Sequence, residues 1–272
     1  MGINMIKVVG TGHIFEKSVR EVAAAIVEET PQIVAVELDV ARFNALEDGG
    51  WRLDAPERDV GIVSLLKTAV GGGGSFPVLL QGVLALIQKE LGKEFGITPG
   101  SDMVAAIQSA RAAGCRVALI DRDIDITLNH LLSIPFKEKL RLFSHSKDGV
   151  GALGSALGAN AESLLEEKNI EAIMQSLRND LPTLYSALVD ERDRYMASAL
   201  LVLVGKYPDA KIVAVVGAGH RAGLEAYLRN PAAVSSSGLS DRRRVSVFGV
   251  LILLVPVIAM YIFMKIKFRI RK

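Results

Sequence analysis

Cysteine is almost missing from this chain: Cys115 stands alone in 272 residues, so no intrachain disulfide can form. The opening MGINMIKVVG lacks a cationic region, a long apolar stretch and a small-residue cleavage site, so a secretory signal is not expected. Gly2 lacks the Ser or Thr at position 6 that myristoylation prefers, because Ile6 is there. Compact metal signatures are also missing, with no H-E-x-x-H and no paired-cysteine motif. No G-x-S-x-G follows an expected strand, and a lone Cys115 reads as a packed residue rather than a nucleophile. A basic balance pointing to nucleic acid is absent once the charges are placed. The 32 Lys/Arg exceed the 30 Asp/Glu only because eight cations gather after residue 241, leaving 1–241 acidic. No nucleic-acid partner is expected.

What is present is apolar. Half of the residues are hydrophobic, which argues against disorder, and the length suits one large core with at most a small appendage. Val245 to Met264, VSVFGVLILLVPVIAMYIFM, carries no formal charge. A helix of about 20 residues matches the hydrocarbon thickness of a bilayer. Arg242, Arg243 and Arg244 precede the run, and Lys265, Lys267, Arg269, Arg271 and Lys272 follow it. Such shoulders suit the headgroup regions and anionic lipid. The expectation is therefore an α/β domain over 1–241 and a transmembrane helix with basic flanks over 242–272. A buried core segment interrupted at Pro256 is the bland alternative. A single-pass membrane protein with membrane lipid as a partner follows, and the simplest topology leaves the soluble domain cytoplasmic.

Along the domain, Ile6 to Val9 reads as a strand ending at Gly10-Thr11-Gly12-His13, and Ser18 to Glu29 has a helical apolar period. Pro31 stops that helix, and Ile33 to Val36 is an apolar strand running into Glu37-Leu38-Asp39. Strand, helix and strand make a βαβ unit, which implies parallel pairing. Ala41 to Leu46 suggests a short helix, Gly71 to Gly74 a loop, and Phe76 to Leu91 a strongly apolar helix. Core packing, a homo-oligomer face and a membrane-surface helix are all open for that segment, with buried packing preferred. A turn at Thr98 to Asp102 feeds a helix through Ala113. Arg116 to Ile120 is the next strand, ending at Asp121-Arg122-Asp123. Residues 131–205 read as mainly helical, with a loop or loose helix start at 149–158 and an apolar helix over Glu191 to Leu203. Lys211 to Val216 is a fourth strand, ending at Gly217-Ala218-Gly219-His220, with a helix from Ala222 to Leu228. The fold class expected is a largely parallel α/β sheet covered by helices.

One string occurs twice. Val-Gly-x-Gly-His appears at Val9–His13 and Val216–His220, each time after a hydrophobic strand, and uses two of the four histidines. His13, Glu37, Asp121, Arg122, Asp123 and His220 then all fall beyond carboxyl ends of strands, the usual ligand crevice of an open α/β sheet. Two histidines and a carboxylate can hold a divalent ion, with His13 and His220 as ligands and Glu37 as third ligand or general base. Arg122 and Arg192 could bind a substrate carboxylate or an oxyanion, a structural ion pair being the alternative for Arg122. Asp121, Asp123 and Asp193 are weaker candidates. The rival pattern is nucleotide binding: Gly10-x-Gly12 precedes Phe15 where a third glycine belongs, and a second, looser set is Gly217, Gly219 and Gly223.

These residues resemble the TraB/PrgY family. The series runs through Gly10–His13, Val36–Asp39 with Arg42, Pro99–Met103, Asp121–Ile124 with Thr127-Leu128, Glu191–Met196 and Gly217–His220, covering roughly 6–228. The resemblance implies a domain often followed by membrane-spanning segments. Within the wider superfamily, it also implies similarity to the Tiki proteins, which look like membrane-tethered metalloproteases using two G-x-x-H motifs and a glutamate. TraB and PrgY are associated with shutting down peptide pheromone signals by degrading or sequestering the peptide. Two positions depart from the pattern: Asp102 stands where a glutamate is more usual, and His130 where an arginine is. The expectation is a membrane-tethered, metal-dependent hydrolase acting on peptides, with manganese, cobalt or zinc at His13, Glu37 and His220. The alternative is a membrane protein that binds a peptide or other small ligand without turnover.

Overall fold

Apolar β-branched runs become the strands here because they are covered on both faces. In a computed structural model the described residues are 5–12, 15–48, 100–135, 137–138, 167–235, 238–241 and 243. In chain order the elements begin with β1 (Ile6–Thr11), α1 (Phe15–Glu29), β2 (Ile33–Val36), α2 (Val40–Asp48), α3 (Ser101–Ala112) and β3 (Arg116–Leu119). They continue with α4 (Ile124–Leu132), α5 (Glu167–Asp180), α6 (Pro182–Tyr185), a π-helical turn (Ser186–Asp190), α7 (Glu191–Lys206), β4 (Ile212–Gly217) and α8 (Ala218–Arg229). A 3-10 turn at Pro231–Ala233 follows.

The strands form one parallel sheet in the order β1-β4-β2-β3. β2 is buried throughout, and β4 up to its final glycine, as central parallel strands require. Alternate residues face opposite layers. Val34, Val36, Val213 and Val215 pack with Val22 and Ile26 of α1 and Ala106, Ile107 and Ala110 of α3. Ile33, Ala35, Ile212, Ala214 and Val216 pack with Met196 and Leu200 of α7 and Leu224 and Leu228 of α8. Burial of each large side chain contributes about 1.5–3 kcal/mol relative to an exposed position.

Strand order decides where the chain can bind something. β1 is followed by α1 on one face, whereas the adjacent β4 is followed by α8 on the other. The two connections leave in opposite directions, the arrangement that in open α/β sheets places ligands outside the carboxyl ends of the adjoining strands.

Two of the boundaries that differ from the sequence reading shape the strand ends. β1 extends to Thr11 because Gly10 and Thr11 pair with Val216 and Gly217. α8 begins at Ala218 directly after β4, so His220 lies in its first turn rather than in a loop. Gly10 permits this entry: a Cβ there would lie 3.0 Å from Cδ of Arg221 and 3.5 Å from Cα of Ala218.

The membrane expectation is corrected. Among the described residues, no helix is long and apolar enough to cross a membrane. The run 245–264 that carried that expectation lies outside the described residues, as do the segments 71–74, 76–91 and 149–158. The fold stands as the α/β domain, and the transmembrane helix, the lipid partner and the single-pass localisation are not carried forward.

Candidate functional site in the strand-end crevice

Four consecutive charged residues, Glu191 to Arg194, open α7 immediately after the π turn, and the first three carry the site. Neighbours on a helix point about 100° apart, so Glu191 turns toward Arg122 and His130, while Arg192 and Asp193 approach His220 from its two ring nitrogens. All three sit close to the sheet's carboxyl edge, and Glu191 and Asp193 are buried.

Arg192 is the hub. Its Nη2 donates to Glu37 Oε1 and, at 2.5 Å, to Asp121 Oδ2, while Nε reaches Asp121 Oδ1 at 3.2 Å. Its Nη1 donates to the Leu188 carbonyl at 3.4 Å and faces His220 Nε2 at 2.9 Å. All five N–H groups are therefore taken. Burial disfavours the charged guanidinium, but Glu37 and Asp121 outweigh it and raise the pKa. Asp121 also accepts from Arg42 Nη2 at 2.5 Å, and Arg42 Nε bonds Asp39 at 2.6 Å. Against burial, Arg192 and Arg42 hold the Asp121 pKa down at about 2.

Glu37 extends from the end of β2 to the start of α8. Its Oε2 accepts from the Gly217 amide at 2.6 Å, the position where a helix N-terminus favours negative charge. A side chain on Gly217 would crowd this bond, since a Cβ would lie 3.4 Å from Oε2.

His220 is bound on both sides. Nδ1 lies 2.6 Å from Asp193 Oδ1, and Nε2 lies 3.4 Å from Glu37 Oε1 beyond its 2.9 Å contact with Arg192. A guanidinium can only donate, so the hydrogen-bond network assigns the proton to Nδ1, donated to Asp193, and the lone pair to Nε2. Burial lowers the pKa of the ring, but the Glu37 charge and the Asp193 bond raise it by more. Burial pushes Asp193 up to about 6. The pair thus holds its shared proton tightly.

Glycines make room for this pair. A Cβ on Gly223 would stand 2.0 Å from Asp193 Oδ2, which explains a glycine one turn beyond His220. Gly223→Ala is expected to displace Asp193 from His220 and to cost about 1–3 kcal/mol by overpacking. Ring-nitrogen NMR checks it: retention of the wild-type Nδ1–H signal would refute the expectation.

The sequence candidates divide. Glu37, Arg192 and His220 meet, with Asp121 and Asp193 among them. His13 lies outside the described residues. Arg122 is elsewhere, fully buried with its donors spent on Thr127, Glu191 and the carbonyls of Ala187 and Leu239. Asp123 caps α4, accepting from the Asp125 amide at 2.8 Å. His130 belongs to the Arg122 cluster, with Nδ1 2.5 Å from Glu191 and Nε2 2.6 Å from the Asp241 carbonyl. Asp102 accepts from Thr11 Oγ1 at 2.6 Å, tying α3 to the end of β1. The Arg42–Asp121 pair was missed by sequence reasoning, as was Asp193's partnership with His220. Their one signal was charge packed beside apolar strand and helix ends.

The sequence model of the TraB/PrgY/gumN family matches residues 3–233, which includes every residue of this crevice. The chain belongs to the TraB/PrgY/gumN family. An uncharacterized protein of Methanocaldococcus jannaschii is 38% identical over 233 residues, covering 82% of this TraB-family chain and 53% of the archaeal protein. TraB domain-containing proteins of mouse and human are each 27% identical over 236 residues, covering 81% of this chain and 61% of theirs. This TraB-family chain therefore spans a little over half the length of these relatives.

The expected metal-binding set of His13, Glu37 and His220 is not assembled among the described residues, since His13 lies outside them. Among the described residues, no group of three or more His, Cys, Asp or Glu is arranged to hold a metal ion. Both Glu37 oxygens are engaged, and the His220 lone pair points at a guanidinium. A divalent ion there would have to sit against the fixed positive charge of Arg192. The membrane-tethered, metal-dependent hydrolase is therefore corrected to a TraB-family α/β domain with a polar crevice built around an arginine.

Proposed function

We propose that the crevice is the general acid–base site of an enzyme that hydrolyses a small polar carbonyl compound, with His220 as the group that moves the proton. One observation carries this reading: the ring is held by Asp193 on Nδ1, while Nε2 keeps its lone pair at the carboxyl edge of the sheet, where Arg192 is its hydrogen-bond partner. A base must be oriented by a third group and keep its acceptor toward the reacting atom. In the resting arrangement Arg192 donates to that lone pair. Substrate and water enter by displacing that single bond, while Glu37 and Asp121 keep the guanidinium in place. His220 then takes a proton from water as the hydroxide adds to the substrate carbonyl, and returns it to the leaving group as the bond to that group breaks. Asp193 and Glu37 stabilise the intervening imidazolium, the direction in which they already shift its pKa.

The test is turnover of a panel of small esters, amides and short peptides by the full chain, followed by mass spectrometry. His220→Gln and Asp193→Asn are expected to lower kcat/KM by about 100-fold or more. Equal turnover by wild type and His220→Gln, or ligand binding by wild type with no turnover, would overturn the reading.

A further inference from the structure

We infer that Arg192 is the resident cation of the crevice, seated where its acidic and imidazole groups would otherwise gather a divalent ion. This goes beyond the acid–base reading and does not depend on it. The guanidinium is within bonding distance of Glu37, both oxygens of Asp121, and His220 Nε2. These groups come from the ends of β2, β3 and β4, three separate stretches of chain. Oxygen and nitrogen donors converging from several strands on one point are what a divalent cation requires. Here one side chain occupies that point from α7.

The arginine is also held from behind. Leu188, inside the π turn, offers its carbonyl to Nη1. A π turn inserts one residue into a helix and is common at functional positions. It sets the direction from which Arg192 enters between Glu37, Asp121 and His220. Arg42 supplies the second positive charge on Asp121, so the acidic groups on this side are already paired. A guanidinium keeps its charge at every pH a protein tolerates and does not exchange with solvent. A crevice so filled needs no ion to be complete, and metal supply does not gate it.

The two states make opposite predictions for metal uptake. The wild-type full chain, dialysed against zinc, manganese or cobalt and measured by elemental analysis, is expected to hold no ion that depends on Glu37 or His220. Arg192→Ala frees Glu37, Asp121 and His220 around a vacated volume. It is expected to take up about one ion per chain, with a melting temperature that rises when metal is added. Arg192→Lys, which keeps the charge, is expected to behave as wild type. If Arg192→Ala does not fold, wild type beside Glu37→Gln and His220→Gln decides the matter alone. One ion per wild-type chain that is lost in both variants would overturn the inference, as would a folded Arg192→Ala with no gain in metal. An ion retained in both variants lies outside the crevice and leaves Arg192 in possession of it.

Discussion

Arg122→Ala is expected to destabilise the domain by about 3–5 kcal/mol, the range for breaking a buried ion pair by removing one partner. Arg122 is 1% exposed and donates to Thr127 Oγ1, Glu191 Oε2, and the carbonyls of Ala187 and Leu239, each at 2.9 Å. Truncation would strand those acceptors away from water, and each buried unsatisfied group costs about 1–3 kcal/mol. The effect extends beyond one pair. Arg122, His130 and Arg243 all converge on Glu191, so the residues around Leu239, Asp241 and Arg243 are fastened to the first turn of α7. That turn also carries Arg192 and Asp193. Chemical denaturation checks the expectation through the midpoint shift. A loss below about 1 kcal/mol, the range of exposed pairs, would show that the cluster does not hold the fold.

The second large effect is expected at Asp121. Its side chain is 1% exposed and bonds two arginines, so Asp121→Asn should cost about 3 kcal/mol or more at neutral pH by leaving buried cations short of counter-charge. The same residue contributes, with Glu191, to the acid limb of the stability profile. Because its folded pKa is lowered from 3.8 to about 2, the fold favours the ionised carboxylate. Its contribution of about 2 kcal/mol is present above the unfolded value and is lost as pH falls through the folded one. Asp193 acts in the opposite sense. Burial raises its pKa to about 6, so the fold favours its protonated form and loses stability as pH climbs from 4 toward 6. His220, also raised, adds a loss on the alkaline side of its ordinary value of 6.5. From these three groups, stability should be greatest at about pH 4 and fall in both directions. Urea titrations across pH measure this profile. A wild-type acid limb that Asp121→Asn reproduces unchanged would remove Asp121 from its causes.

Much of this was readable from residue order. Four apolar runs, each followed by glycine or acid, marked the strands. The doubled Val-Gly-x-Gly-His string marked where two of them end. Glu37 was placed by its position after β2, and it does meet His220. The membrane run 245–264 was legible only as composition. The described residues contain no spanning helix, and the topology drawn from that run did not stand. The surroundings of Glu37 and His220 hold a partner that a one-dimensional reading cannot see. Arg192 lies 28 residues from His220 and 155 from Glu37, yet bonds both. Its charge sits between the histidine and the glutamate that the sequence reading paired.

Local pattern fixed the elements, since burial on alternate faces requires apolar β-branched runs and a 3.6-residue period requires an amphipathic helix. Those are properties of neighbours in the chain. Tertiary structure decided which strand ends adjoin, because β4 inserts between β1 and β2 and brings His220 beside Glu37. It also decided which charges are spent. Arg122 and Arg192 read alike in the sequence, but one fastens the chain near residue 240 and the other fills the crevice, because hydrogen bonds over long separations depend on packing alone.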